Sequence, residues 1–83
     1  MQFAYFARVR EAIGRDGEEC ALPSGVNTVS DTLDWLVEQD ESYRRAFADR
    51  SKLRFALDQN MVKADALIGS AEELAIFPPV TGG

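Results

Sequence analysis

The sequence predicts an α+β domain, a mixed sheet of about five strands with one main helix packed on one face. Three observations carry that prediction. Short stretches at both ends of the chain and after residue 52 place their apolar residues with period two, the signature of strands. One longer stretch, 27–39, repeats them with the 3.6-residue period of a helix instead. The chain has 83 residues, 46% hydrophobic and 28% charged, which makes one domain, 1–83, with one modest core.

The opening stretch QFAYFARV (2–9) alternates. Phe3, Tyr5, Ala7 and Val9 share one face, and Ala4, Phe6 and Arg8 the other, so all of it reads as the first strand. REAIG follows as one helical turn closed by Gly14 as C-cap. Asp16-Gly17 turns the chain. EECAL (18–22) returns as a second strand, antiparallel to the first, and Pro23 and Gly25 end it.

NTVSDTLDWLVEQ (27–39) is the main helix. Thr28 is a good N-cap, with Asp31 three residues on, a weaker form of the capping box. Val29, Leu33, Leu36 and Val37 fall at i, i+4, i+7 and i+8, a single apolar stripe. ESYRRAFADR (41–50) reads as a short second helix with Tyr43 and Phe47 at i and i+4. KLRFALDQN (52–60) alternates again, with Leu53, Phe55 and Leu57 on one face. A short strand and a turn-rich connector around Leu67, Ile68 and Gly69 lead to the last strand, EELAIF (72–77). There Leu74 and Ile76 face one way, Ala75 and Phe77 the other. A hairpin, a crossover helix and further strands describe a mixed sheet. A right-handed crossover can set the first and last strands side by side at its centre, which is the ubiquitin-like β-grasp arrangement.

The composition excludes several functions. A net charge of −5 and a pI of about 4.5 argue against nucleic acid and anionic membrane as partners. The chain has no histidine, so the commonest general base and metal ligand is missing. One cysteine, Cys20, allows neither an internal disulfide nor a thiolate metal cluster; with no His to activate it and no Arg or Lys beside it, it reads as a small buried hydrophobe. The run DGEE (16–19) lacks the alternating carboxylates of a calcium loop and reads as a solvated turn. No metal site is expected. The N-terminus has no signal-peptide pattern, and no apolar run approaches the ~20 residues that span a bilayer. The expected location is cytoplasmic.

If the helix covers the face bearing Phe3, Tyr5, Leu53, Phe55, Leu57, Leu74 and Ile76, alternation sends Phe6 and Phe77 to the open face, where Met61 can join them. Exposed apolar patches mark protein interfaces. The alternative is that the short helix 40–48 wraps round and covers them. Arg8 and Arg10 sit on the rim, where a surface arginine is ordinarily just solvated.

The chain then ends FPPVTGG. Pro78 and Pro79 have no N–H, so sheet pairing stops there. Their fixed φ sends the chain out as a stiff stub. Val80, Thr81, Gly82 and Gly83 add at most about 14 Å of reach, and 78–83 read as a projecting tail. Two glycines admit backbone and carboxylate to a channel too narrow for a Cβ. The side chains offer no catalytic constellation, so the group with chemistry to do is the carboxylate of Gly83. A free carboxylate is a poor electrophile. Converted to an acyl-adenylate, it can be attacked by sulfur to give a thiocarboxylate. No Gly-rich phosphate loop is present, so ATP would be used by a partner and no cofactor bound by this chain. A plain terminal tail is the other reading of these residues.

The ending FPPVTGG, the opening YFARVREAIG and the chain length resemble the family of molybdopterin synthase small subunits, ubiquitin-like sulfur carriers. The resemblance runs over nearly the whole chain, and PPVTGG is its specific part. It implies the β-grasp fold and a thiocarboxylate on Gly83. It implies charging by an ATP-dependent, E1-like adenylating enzyme. It also implies delivery of the tail to the large synthase subunit, where the sulfur goes to cyclic pyranopterin monophosphate to build the dithiolene of molybdopterin. The implied assembly is a heterotetramer with a central large-subunit dimer. The family's apolar partner surface falls on Phe6, Met61 and Phe77, and its arginine in VRE on Arg10. There are two departures. The family usually reads close to aVNqe where this chain has ALDQN, with Leu57-Asp58, and dGDEV where it has SAEEL. The rivals are a carrier for another pathway, such as thiazole synthesis, and a ubiquitin-like modifier or binding module.

Overall fold

Strand β1 (Gln2–Tyr5) and strand β5 (Glu73–Phe77) run parallel, side by side, at the centre of a five-stranded sheet. The computed structural model describes residues 1–79. The other strands are β2 (Gly17–Glu19), β3 (Arg54–Leu57) and β4 (Asn60–Val62), and the spatial order is β2-β1-β5-β3-β4. Every pairing except β1 with β5 is antiparallel. This is the β-grasp arrangement expected from the order of elements.

Register fixes which face is buried. Phe3 sits opposite Leu74 and Tyr5 opposite Ile76; Ile76 and Leu74 in turn sit opposite Phe55 and Leu57. All six belong to one apolar cluster. A slip of one residue would turn the whole set outward. The opposite face carries a row of small residues, Ala4, Ala75 and Ala56, that ends on Met61.

Helix α2 (Val29–Val37) begins with the capping box its sequence indicates. Thr28 Oγ1 accepts from the Asp31 N–H at 3.0 Å, and Asp31 Oδ2 accepts from the N–H of Asn27 and Thr28. These backbone hydrogen bonds hold the Asp31 carboxyl below its ordinary pKa. Val29, Leu33 and Leu36 enter the core. Helix α3 (Glu41–Ala46) is capped by Asp40 and stacks Tyr43 on Phe47, both buried. α2 is the expected main helix and α3 the expected short second one, and a third helix buries its apolar residues in the same cluster.

That third helix, α1 (Ala7–Ile13), replaces the far end of the expected first strand and the single turn after it. The cause lies in the neighbouring strand. In the β1–β5 register, Phe6 faces Phe77 and Ala7 would face Pro78, which has no N–H to offer. The prolines that end β5 therefore end β1 as well. Phe6 makes the last contact, donating to Ile76 O at 3.3 Å, and Ala7 leaves the sheet with φ 51°. Val9 and Ile13, four apart, then bury from a helix face, and Gly14 caps it at φ 90°. Arg8 and Arg10 consequently sit on a helix, not on a strand rim.

The second strand is likewise shorter than EECAL, although Cys20 and Met1 extend its ladder by exchanging both backbone bonds at 3.0 Å. The DGEE run is more than a solvated turn. Glu18 Oε2 accepts hydrogen bonds from the Tyr5 hydroxyl at 2.7 Å and from the Tyr43 hydroxyl, while Oε1 pairs with Arg15 at 2.8 Å. Among the described residues no helix is long and apolar enough to cross a membrane.

Candidate functional site

The site lies where the two central strands end together. Phe6 is fixed on both sides of its Cα. Its N–H is bonded to Ile76 O, and its carbonyl accepts from the N–H groups of Val9 and Arg10. The backbone is therefore committed to sheet and helix at once, while the ring stays 48% exposed. Phe77, facing it across the parallel pair, meets it edge to face with ring centroids 6.3 Å apart. Nothing else among the described residues covers this pair: α3, the alternative cover, packs on α1 and α2 and puts Tyr43 and Phe47 into the core.

Met61 is 62% exposed and lies on the same face of the sheet, but on β4, with β3 between it and β5. Its register partner is Ala56, whose own partner on β5 is Ala75. The two phenylalanines and the methionine thus bound a shallow floor of alanines. Covering each of the three large side chains is worth roughly 1.5–3 kcal/mol to a complex. Arg10 is exposed on α1, and its backbone N–H is bonded to the Phe6 carbonyl.

Pro78 and Pro79 follow β5 directly and lie outside any strand, half-buried. The residues expected to do the chemistry, Gly82 and Gly83, fall with Val80 and Thr81 outside the described residues. The structure thus brings together Phe6, Phe77 and the root of the tail, places Arg10 on the following helix and sets Met61 to one side. Burial pushes the Cys20 thiol up, with Glu18 adding to the effect, so its thiolate is disfavoured. Asp58 has a role that linear reading missed. Its Oδ1 accepts from the N–H groups of Glu72 and Glu73 at 2.9 and 3.0 Å. That bond pair steadies the turn before β5, the place where SAEEL departs from the usual pattern.

The arrangement has likenesses among known proteins. The model of the ThiS family matches residues 3–83. The molybdopterin synthase sulfur carrier subunit of Escherichia coli (strain K12) is 37% identical over 79 residues, 95% of this chain and 94% of that one. The protein of the same name from Arabidopsis thaliana is 36% identical over 78 residues, 94% of this chain and 77% of that one. Among solved structures, SAMP1 from Haloferax volcanii superposes with a TM-score of 0.72 at 26% identity, over 100% of this chain and 98% of that one.

Proposed function

The chain belongs to the ThiS family, and we propose that it serves as the sulfur carrier subunit of a molybdopterin synthase. The observation that carries the reading is the placement of the tail root. The last strand ends at the centre of the sheet on two prolines, beside the open Phe6–Phe77 pair. A protein that covers that pair takes hold of the domain next to the point where the tail departs. The relatives named above support the choice of carrier over rival ubiquitin-like roles.

In this reading the work is divided. An adenylating enzyme uses ATP to join AMP to the Gly83 carboxylate, releasing pyrophosphate. A sulfur donor then displaces AMP and leaves a thiocarboxylate. The large subunit receives the tail, and the sulfur moves to cyclic pyranopterin monophosphate; water restores the carboxylate. This chain supplies no catalytic side chain. It contributes a rigid mount, a slim tip and an apolar handle, and so acts as the donating subunit of a sulfurtransferase complex that we place in the cytoplasm as a heterotetramer.

The test is the intact mass of the chain after incubation with ATP, a sulfur donor and the adenylating enzyme. Replacement of one oxygen by sulfur on the last peptide supports the carrier. An amide-linked adduct on another protein would favour a modifier instead.

A further inference from the structure

The chain carries a net charge of −5, yet its cations are not dispersed. Six of its nine basic residues line two neighbouring clefts that share Leu53 as a common wall. The first cleft, about 400 Å³, lies between α1 and the segment after α3, and Arg8, Arg45 and Lys52 line it with Asp49 as the single acid. The second, about 350 Å³, is lined by Arg50, Arg54 and Lys63 and by no acid. Arg50 is neutralised by Asp34 at 2.8 Å, and Arg54 donates to the carbonyls of Ser51 and Leu53. Among the described residues Arg8, Arg45 and Lys52 close no ion pair, and all three are exposed. Asp49 accepts at Oδ1 from the Ser51 hydroxyl and N–H, and these bonds, with the charges of Lys52 and Arg8, hold its carboxyl below its ordinary pKa.

We propose that Arg8, Arg45 and Lys52 form a cationic docking surface for an acidic segment of the protein that receives the tail, acting beside the Phe6–Phe77 pair. The inference rests on the sulfur-carrier reading. Two placements support it. Arg8 is two residues after Phe6, on the helix that leaves the patch, and Arg54 is the register partner of Phe77. The cationic region is therefore continuous with the apolar patch at the end of the sheet where the tail starts. The three cations line a cleft with one carboxylate, Asp49, and an acidic partner surface supplies the counter-charge in which the cleft is short. Against a net charge of −5, this concentration of cations makes the face the favoured one for an acidic partner during approach.

The experiment is calorimetric titration of the large synthase subunit with the full chain, wild type against R8Q/R45Q/K52Q, over a range of salt. The expected result is an affinity about tenfold lower for the variant at low salt, with a shallower salt dependence. The thermal midpoint should be unchanged, and in sulfur-transfer assays KM should rise with kcat preserved. R44Q removes a cation outside the clefts, already paired with Glu41 at 3.4 Å, and should bind like wild type. Equal affinity and equal salt dependence of the triple variant would overturn the proposal. So would inorganic phosphate that stabilises the wild type but not the variant while partner affinity stays the same, because the clefts would then hold a free anion. Failure of the wild type itself to bind the large subunit would instead overturn the sulfur-carrier reading.

Discussion

Phe6 and Phe77 stand at the ends of two adjacent parallel strands and touch edge to face, with ring centroids 6.3 Å apart, on the face of the sheet opposite the buried cluster. Neither ring is needed to close the core, since the residues beside them, Tyr5 and Ile76, fill that role. Phe6→Glu and Phe77→Glu should therefore leave stability within about 1 kcal/mol of wild type and weaken large-subunit binding by at least ~30-fold, the loss of a buried aromatic anchor. Calorimetry with a parallel thermal melt separates the two effects. A melt that falls while affinity holds would reassign the pair to the core.

The tail makes a separable prediction. Gly82→Val, or deletion of Gly83, should abolish sulfur transfer and leave the fold intact, because β5 and its pairings end at Phe77. Circular dichroism would show an unchanged domain while single-turnover assays show no product. A Gly82→Val protein that still transfers sulfur would mean the receiving channel tolerates a Cβ.

Glu18 joins β1, β2 and α3 through Tyr5, Tyr43 and Arg15. Partial burial pulls its pKa up, but the hydrogen bonds from Tyr43 and Tyr5 and the charge of Arg15 outweigh that, and its pKa lies below the ordinary 4.5. Its folded form thus favours the carboxylate. That contribution is fully present above about pH 4.5 and fades as pH falls through the lower folded value. Tyr43 gives the opposite limb. Burial first, then Glu18, pushes its pKa up to about 12 from 10.0, so its contribution is complete below pH 10 and lost between there and 12. Glu18→Gln should cost about 1–3 kcal/mol at neutral pH and flatten both limbs. Urea midpoints across pH check this; parallel profiles for the two proteins would show that Glu18 does not govern either limb.

Asp58 and Gln59 turn the β3–β4 hairpin with φ of 48° and 70°, a geometry that Asn and Asp tolerate better than other side chains. Asp58→Asn keeps both that tolerance and an acceptor for the Glu72 and Glu73 N–H groups, and should change stability by less than about 0.5 kcal/mol. Asp58→Ala loses both and should cost about 1–3 kcal/mol. Chemical denaturation of the pair is the measurement, and equal costs would show that the carboxylate bonds contribute nothing.

Ala7 gives a test of backbone strain. At φ 51° it occupies a region that L-residues with a Cβ enter at a cost. Ala7→Gly should therefore stabilise the domain by about 0.5–1 kcal/mol, reversing the usual helix penalty of roughly 1 kcal/mol for glycine. A lower melting temperature would show that Ala7 behaves as an ordinary helical residue.

The amino-acid order alone points to the central β1–β5 pair, the capped helix over 29–37 and the core face of β1, β3 and β5. These follow from short-range rules: period-two alternation, the Thr28–Asp31 spacing, and the handedness of a crossover. It also determined that Phe6 and Phe77 look away from the helix, because alternation sends neighbours to opposite faces. Three matters were decided only by the tertiary structure. The end of β1 depends on what lies opposite Ala7, and Pro78 is 71 residues away in sequence. Glu18 is a hub because two tyrosine hydroxyls, one 25 residues distant, converge on one oxygen; in the chain it stands in an ordinary acidic turn. The cationic clefts exist because α1, the segment after α3 and the start of β3 meet around Leu53. Charge is long-ranged, and its distribution in space depends on contacts between segments that no local period encodes.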